Sequence, residues 1–233
     1  MPRVWLSGDG RMGSALDRLL AASDPAGLTR AARLAEADVV IDYSHPECTA
    51  PLVARLLEAP RPLLVGTTGL PSAVLRDLDV LARSAPVLLA ANTGAGINVL
   101  ARLVSEAVRL AGPGWDIEVL EMHHRHKVDA PSGTAWMLLD AAAGGDRTRA
   151  VTSRVGQTGP RTDDEIGIQA LRGGDVVGEH TVFLVGHGER IELTHRAWDR
   201  DTFARGGLRA AAWLAAEGRA AGLYDMNDVL GIC

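Results

Sequence analysis

Lysine is nearly absent from this 233-residue chain: Lys127 stands alone among 24 cationic side chains, and the others are all arginine. Aromatic residues make up only 4%, and cysteine is limited to Cys48 and Cys233. Two cysteines cannot form a disulfide framework and no CxxC is present, so a reduced compartment is expected. No apolar run is long enough to span a bilayer, and the opening Met1-Pro2-Arg3-Val4-Trp5-Leu6 lacks the apolar length of a signal peptide. The expectation is a cytoplasmic protein without a membrane partner. A formal net charge of −5 argues against nucleic acid as a partner. The length suits one compact unit or two small domains, and no internal repeat or low-complexity tract interrupts it.

The single lysine lies in His123-His124-Arg125-His126-Lys127-Val128-Asp129-Ala130-Pro131-Ser132-Gly133-Thr134. Arginine supplies bare positive charge but effectively never releases its proton, whereas an ammonium can be tuned to do so. Three of the seven histidines stand beside it, and histidine is the side chain most readily poised to donate a proton near neutral pH. Residues 116–122 have the β-branched, half-alternating texture of a strand. Pro131 breaks the chain, Ser132 is a good N-cap, and residues 134–139 read as a helix. Free N–H groups at a helix start bind anions; Gly133 permits close approach, and Ser132 and Thr134 add hydroxyls. One carboxylate of a small dianion would sit on the helix start and a second would face His124 and Lys127. Two other readings stand beside this one. The lysine is a compositional accident on a solvated loop, or His-His-x-His binds a metal. The second is poorly spaced, because adjacent strand residues point to opposite faces, so no metal is expected.

At the start, the apolar strand Val4-Trp5-Leu6 runs into Ser7-Gly8-Asp9-Gly10-Arg11-Met12-Gly13 and then a helical stretch. This is GxGxxG in a strand–turn–helix context, the arrangement that cradles a dinucleotide pyrophosphate. Arg11 adds positive charge, and a purely structural glycine turn is the alternative. Strand–helix alternation continues through strands at 38–43, 62–65 and 86–91, with Ser44 expected to cap the helix after the first. The strands end in Gly66-Thr67-Thr68-Gly69 and Ala90-Ala91-Asn92-Thr93-Gly94, small and polar residues where a parallel sheet binds its ligand. Helices are expected over 71–84 and 97–111. From residue 150 to 197, strands at 176–177, 181–185 and 190–195 follow one another without helices, which predicts a mixed or largely antiparallel sheet. A helix over 205–217 returns to the first domain. The fold class is therefore α/β: a Rossmann-like domain of residues 1–94 and 205–233, and an α+β domain of residues 95–204 with a mixed sheet.

Nearly end to end, the chain resembles the dihydrodipicolinate reductase family. The segment from Glu121 to Ala135 is its most specific part, with Gly8–Gly13, Gly66–Gly69, Ala90–Asn92, Gly173–His180 and Glu189–Ala197 in register. The resemblance implies hydride transfer from NADH or NADPH to a cyclic, dicarboxylated imine in the diaminopimelate route to lysine, by a homotetramer. It implies His123 and Lys127 as the proton-donating pair, and His124, Gly133 and Thr134, with Ser132, as substrate ligands. It places Gly8, Asp9, Gly10, Arg11, Met12, Gly13, Gly66, Thr67, Thr68, Ala90, Ala91, Asn92 and Thr93 along the dinucleotide. The chain departs from the family between Gly13 and Val39, where only one helix and a stub of a second strand, over 28–32, have room. The acid expected about twenty residues past the fingerprint to hold a ribose is absent there. Arg30 and Arg33 stand in its place, which leans toward NADPH. A nucleotide-sensing regulator on the same fold and another NAD(P)H-dependent imine reductase remain as alternative readings.

Overall fold

The structure, a computed structural model, describes residues 1–22 and 27–232 and so does not include Cys233. β1 (Arg3–Ser7) leads through the glycine loop into α1 (Arg11–Ala21). β2 (Thr29–Arg30), β3 (Val39–Asp42), α2 (Pro46–Glu58), β4 (Leu63–Val65), α3 (Ser72–Leu81) and β5 (Pro86–Leu89) follow. Next come α4 (Ala95–Ala111), β6 (Asp116–His123), α5 (Gly133–Ala143), β7 (Ala150–Val151), β8 (Ile166–Arg172), β9 (Gly178–Val185) and β10 (Arg190–Ala197). The last elements are α6 (Asp201–Leu214), β11 (Gly222–Tyr224) and α7 (Met226–Leu230). Two compact units emerge, Met1–Ala95 with Arg200–Cys233, and Gly96–Asp199.

In the first unit a parallel sheet runs in the order β11-β5-β4-β3-β1-β2. Its central strands β3, β4 and β5 are buried on both faces, as a sheet covered by helices on each side requires. Ile41, Leu64 and Leu88 meet Leu16 of α1 and Ala204, Leu208 and Ala211 of α6. Val40, Leu63, Val65 and Val87 meet Leu52, Val53 and Leu56 of α2 and Val74, Leu78 and Leu81 of α3. The alternation of side chains along each strand thus divides one apolar sequence between two cores. Arg18 of α1 forks onto the buried Asp201 carboxylate at 2.8 and 2.5 Å, which ties the two helices of one face together.

Three local expectations are corrected here. The second strand is only Thr29–Arg30, extended by one bond from the Ala31 N–H to the Val4 carbonyl, and does not cover 28–32. α6 begins at Asp201 rather than at 205. Ser44 does not cap α2: His45 holds that position, and the Ser44 hydroxyl donates to the Asp42 carboxylate at 2.5 Å. A buried carboxylate competes strongly for a nearby hydroxyl, and Pro46 at the first helical turn has no N–H to be capped.

The second unit holds a mixed sheet in the order β10-β9-β6-β8-β7, in which β6 runs antiparallel to β9 and parallel to β8. One face packs Ile117, Val119, Ile168, Val182 and Leu184 against Leu100 and Val104 of α4 and Leu138 and Leu139 of α5. The expected strand at 176–177 lies in the turn before β9, and β8 was not anticipated. Its signal is diluted by Gly167, where a methyl group would sit 1.8 Å from Glu118 Oε2, so the glycine marks a close cross-strand approach. Among the described residues no helix is long and apolar enough to cross a membrane.

α6 packs directly on the loop after β5: a methyl group at Gly206 would lie 1.8 Å from the Thr93 carbonyl oxygen. Gly206→Ala is therefore expected to lower the stability of the first unit by about 2 kcal/mol or more, measured by denaturant unfolding, because backbone cannot yield as a side chain can.

Candidate active site

β6 alternates strictly, with Ile117, Val119, Glu121 and His123 on its buried phase. The first two are core. The last two place a carboxylate and an imidazole where the pattern calls for apolar side chains, which demands full pairing. Glu121 is fully buried. Its Oε2 lies 2.5 Å from His123 Nδ1 and accepts from Arg172 at 2.7 Å, while Oε1 accepts from Arg172 at 2.7 Å and from the Ser132 N–H at 3.1 Å. Burial pushes the Glu121 carboxyl up, but the hydrogen bonds from His123 and Arg172 outweigh it and hold it at about 2.

Ser132 caps α5, its hydroxyl accepting from the Ala135 N–H at 3.1 Å, and the same oxygen lies 3.3 Å from His180 Nε2. Gly133 is exposed and opens the helix, with Thr134 half-buried behind it. The His180 ring meets His123 edge-on with centroids 5.1 Å apart. Burial, assisted by His123, pushes the His180 imidazole down to about 3. Lys127, in the loop after β6, donates to the Asp129 carboxylate at 2.8 and 3.0 Å. The Asp129 carbonyl in turn accepts from Arg172 at 2.7 Å. The three neighbouring histidines diverge: His123 turns inward to Glu121, whereas His124 and His126 tilt toward each other with centroids 6.3 Å apart. Among the described residues no group of three or more His, Cys, Asp or Glu side chains is placed to hold a metal.

The sequence reading thus finds His123, Lys127 and the Ser132–Thr134 helix start in one neighbourhood but misses Glu121, Arg172 and His180 as partners. The spacing Glu121-x-His123 on one strand face was a usable signal. Arg172 carried none, because its place opposite His123 depends on the β6–β8 register.

In the first unit, the sheet's order reverses between β1 and β3, the switch point at which open parallel sheets bind ligands. Gly8, with φ of 100°, meets β3 there: a methyl group on it would stand 2.7 Å from the Tyr43 carbonyl oxygen. At Gly13 it would stand 2.0 Å from the Gly8 carbonyl oxygen, whereas nothing lies within 4 Å at Gly10. The first and third glycines are closed by the fold and the second is open, as a loop that admits a pyrophosphate requires. Asp9 and Arg11 are exposed beside it and Met12 is half-buried. At the carboxyl end of β4, Gly66 packs on the Tyr43 ring, and Thr67 donates to the buried Asp42 at 3.0 Å. Thr68 is exposed. After β5, Ala90 is half-buried, Ala91 exposed, and Asn92 accepts from the Gly94 N–H at 2.9 Å. Thr93 turns inward, accepting from the Tyr43 hydroxyl at 2.5 Å and donating to the Phe203 carbonyl at 2.7 Å. Burial pushes the Tyr43 phenol well above its usual value, so it serves as a donor throughout the working range. Arg30 is engaged by Asp17 at 2.7 Å, and Arg33 by Glu36. The two arginines that stood in for the missing acid therefore already have carboxylate partners.

The depressed His180 imidazole has a consequence for stability. Below its ordinary value of 6.5 the unfolded chain binds a proton that the folded site refuses, so stability is complete above that pH and is lost as pH falls toward about 3. Between pH 7 and pH 5, wild type is expected to lose about 2 kcal/mol through this group. His180→Gln should show a correspondingly smaller drop in denaturant melts at the two pH values.

Residues 28–93 match the family described as Dihydrodipicolinate reductase, N-terminus, and residues 96–230 match Dihydrodipicolinate reductase, C-terminus. A 4-hydroxy-tetrahydrodipicolinate reductase of Myxococcus xanthus is 50% identical over 207 residues, covering 88% of this chain and 76% of that protein. One from Akkermansia muciniphila is 45% identical over 235 residues, covering 96% and 95%. A dipicolinate-bound dihydrodipicolinate reductase from Paenisporosarcina has the same fold, with a TM-score of 0.75 over the whole of both chains at 21% identity. With both halves matched and relatives this similar over most of its length, the chain belongs to the dihydrodipicolinate reductase family.

Proposed function

We propose that this chain uses NADPH or NADH to reduce 4-hydroxy-tetrahydrodipicolinate to tetrahydrodipicolinate, the reduction step of diaminopimelate and lysine biosynthesis. Family membership and the curated relatives of that name support the activity. The observation that carries the reading is the convergence of His123 and the amide of Ser132, at the start of α5, on one buried carboxylate. That arrangement puts a proton donor beside an anion-binding helix terminus, the pair that a dicarboxylate awaiting protonation needs.

In the first unit, the loops Gly8–Gly13, Gly66–Thr68 and Ala90–Thr93 would hold the dinucleotide, with the open Gly10 at the pyrophosphate and Arg11 adding charge. The 4-hydroxyl leaves as water to give a conjugated dihydropyridine ring, to which a bound reduced nicotinamide would supply hydride at a ring carbon β to the imine. The remaining work falls to the second unit. The N–H groups opening α5, with Gly133, Thr134 and the Ser132 hydroxyl, receive one carboxylate, and His124 faces the other. His123 and Lys127 deliver the proton to the ring carbon that becomes nucleophilic after reduction, and their positive charge stabilises it electrostatically. The sheet face opposite the helices presents Leu120, Met122 and Phe183 half-exposed, a surface we assign to assembly of the homotetramer.

Purified protein should oxidise the reduced cofactor only when freshly generated substrate is present, followed at the nicotinamide absorbance band. Nucleotide binding without oxidation would instead favour the sensor reading. The NADPH to NADH ratio of kcat/KM reports whether Arg30 exchanges Asp17 for a 2′-phosphate. Lys127→Arg should retain dicarboxylate binding but lose turnover by about 10²-fold, since charge survives and the transferable proton does not. Near-full kcat in that variant would remove Lys127 from proton delivery.

A further inference from the structure

We propose that Glu121 and Arg172 are positioning residues of this reduction. The Glu121 carboxylate would fix His123 by its Nδ1 and leave Nε2 as the nitrogen for proton delivery, while Arg172 anchors the Lys127 loop to the same carboxylate. The inference rests on the reading of His123 as a proton donor. Its basis is the count of bonds at one buried group. Both Glu121 oxygens are occupied, Oε2 by His123 Nδ1 and an Arg172 nitrogen, Oε1 by the second Arg172 nitrogen and the Ser132 N–H. Donors therefore surround the group from four directions, and only a carboxylate accepts from all of them. An amide of the same shape would turn its NH2 against another donor.

Four segments meet at this point: the end of β6, the loop that follows it and the start of α5, which are consecutive in the chain, and the end of β8, whose Arg172 lies 51 residues from Glu121. Arg172 reaches past the carboxylate to the Asp129 carbonyl at 2.7 Å, and the Asp129 side chain holds Lys127 Nζ at 2.8 Å. Both proposed proton donors are thus placed from one origin, His123 directly and Lys127 through Arg172 and Asp129. With Nδ1 held by Glu121, Nε2 is the ring nitrogen left to carry a proton to a ligand, in the manner of an imidazole oriented by a carboxylate. Gly178 keeps that nitrogen clear, since a methyl group there would come within 3.1 Å of it. Around His123 stand Glu121 on its own strand, Arg172 from β8 and His180 from β9; His180 in turn feels His195 and Lys127. Among these, the anion in contact with the ring is Glu121.

The test compares Glu121→Gln, Arg172→Lys and His123→Gln in the full chain, each first shown to be folded by its melting transition. For Glu121→Gln the expected outcome is a kcat lower by about 50-fold or more with KM within about 3-fold, because proton delivery and not dicarboxylate binding is disturbed. The pH profile of its kcat should also differ from that of wild type, since the ring has lost the anion it contacts. Arg172→Lys keeps the Glu121 carboxylate against His123, so kcat falls while the pH profile keeps its wild-type form. Glu121→Gln added to His123→Gln should cost much less than it does in wild type, since its His123 arm is already gone and only the hold on Lys127 through Arg172 and Asp129 remains to be lost. Dipicolinate titrated by calorimetry gives a readout independent of turnover and should bind Glu121→Gln nearly as tightly as wild type.

Unchanged kcat in Glu121→Gln, or an equal loss on top of His123→Gln, would overturn the inference and leave Glu121 as an ordinary satisfied core carboxylate. If Glu121→Gln does not fold, Glu121→Asp replaces it, and an unaltered rate and pH profile in both Glu121→Asp and Arg172→Lys overturns the inference equally. Full activity in His123→Gln, or an inactive wild type, overturns the underlying functional reading instead. A His123-dependent wild type that is indifferent to Glu121 overturns the positioning role alone.

Discussion

Glu121 occupies a position that the alternation of β6 assigns to the hydrophobic core, and the second unit is organised around satisfying it. A carboxylate removed from water is tolerated only when charge and hydrogen bonds replace the lost hydration. Arg172 supplies the charge through a two-point fork, and His123 and Ser132 supply the remaining donors. Each partner comes from a different element, so satisfying one group also fixes the relative placement of β6, β8 and the start of α5. The same bonds hold His123 directly and Lys127 through Arg172 and Asp129, the side chains to which we assign proton delivery. Folding and function therefore draw on one interaction, and a polar defect in the core becomes the reference point of the site.

The first unit solves an analogous problem with hydroxyls instead of a cation. Asp42, buried at the carboxyl end of β3, accepts from Ser44 and Thr49 at 2.5 Å and from Thr67 at 3.0 Å. These bonds bind the turn after β3 to the loop after β4, at the edge of the sheet where the glycine loop also lies. Tyr43, Thr93 and the Phe203 carbonyl form a second short chain that secures the loop after β5 to α6. The loops after β3, β4 and β5 are thus held by buried polar groups, while nothing lies within 4 Å of a methyl group placed at Gly10. Rigid support with an open second glycine is what a dinucleotide platform needs, because ordering the loops on binding would otherwise lower affinity.

The arginine bias of the composition acquires a structural meaning. Bidentate pairing recurs where elements are joined, with Arg18 on Asp201 and Arg172 on Glu121, and an ammonium has no planar fork to make it. Lys127 instead pairs with Asp129 in a loop, at the position for which we propose proton delivery. Arg30 and Arg33 show the limit of reading charge from sequence. Glu36 stands three residues from Arg33, a local pairing, but nothing in the order of residues shows that Asp17 will meet Arg30.

The sequence by itself determined the fold class and the family of the protein, and it marked the side chains to which we assign the chemistry. Period-two apolar strands, the glycine fingerprint and the His-Lys-Pro-Ser-Gly-Thr segment are local patterns, and local patterns survive without knowledge of long-range contacts. The N-cap at Ser132 was legible for the same reason. Tertiary structure alone decided who partners whom: Arg172 with Glu121, His180 with Ser132, Tyr43 with Thr93. These pairs are separated by 48 to 51 residues. It also decided that Ser44 serves Asp42 rather than α2, and that β8 exists beside β6. Strand register and the demand of a buried carboxylate for donors operate only once the sheet has formed, and neither is written in any single stretch of chain.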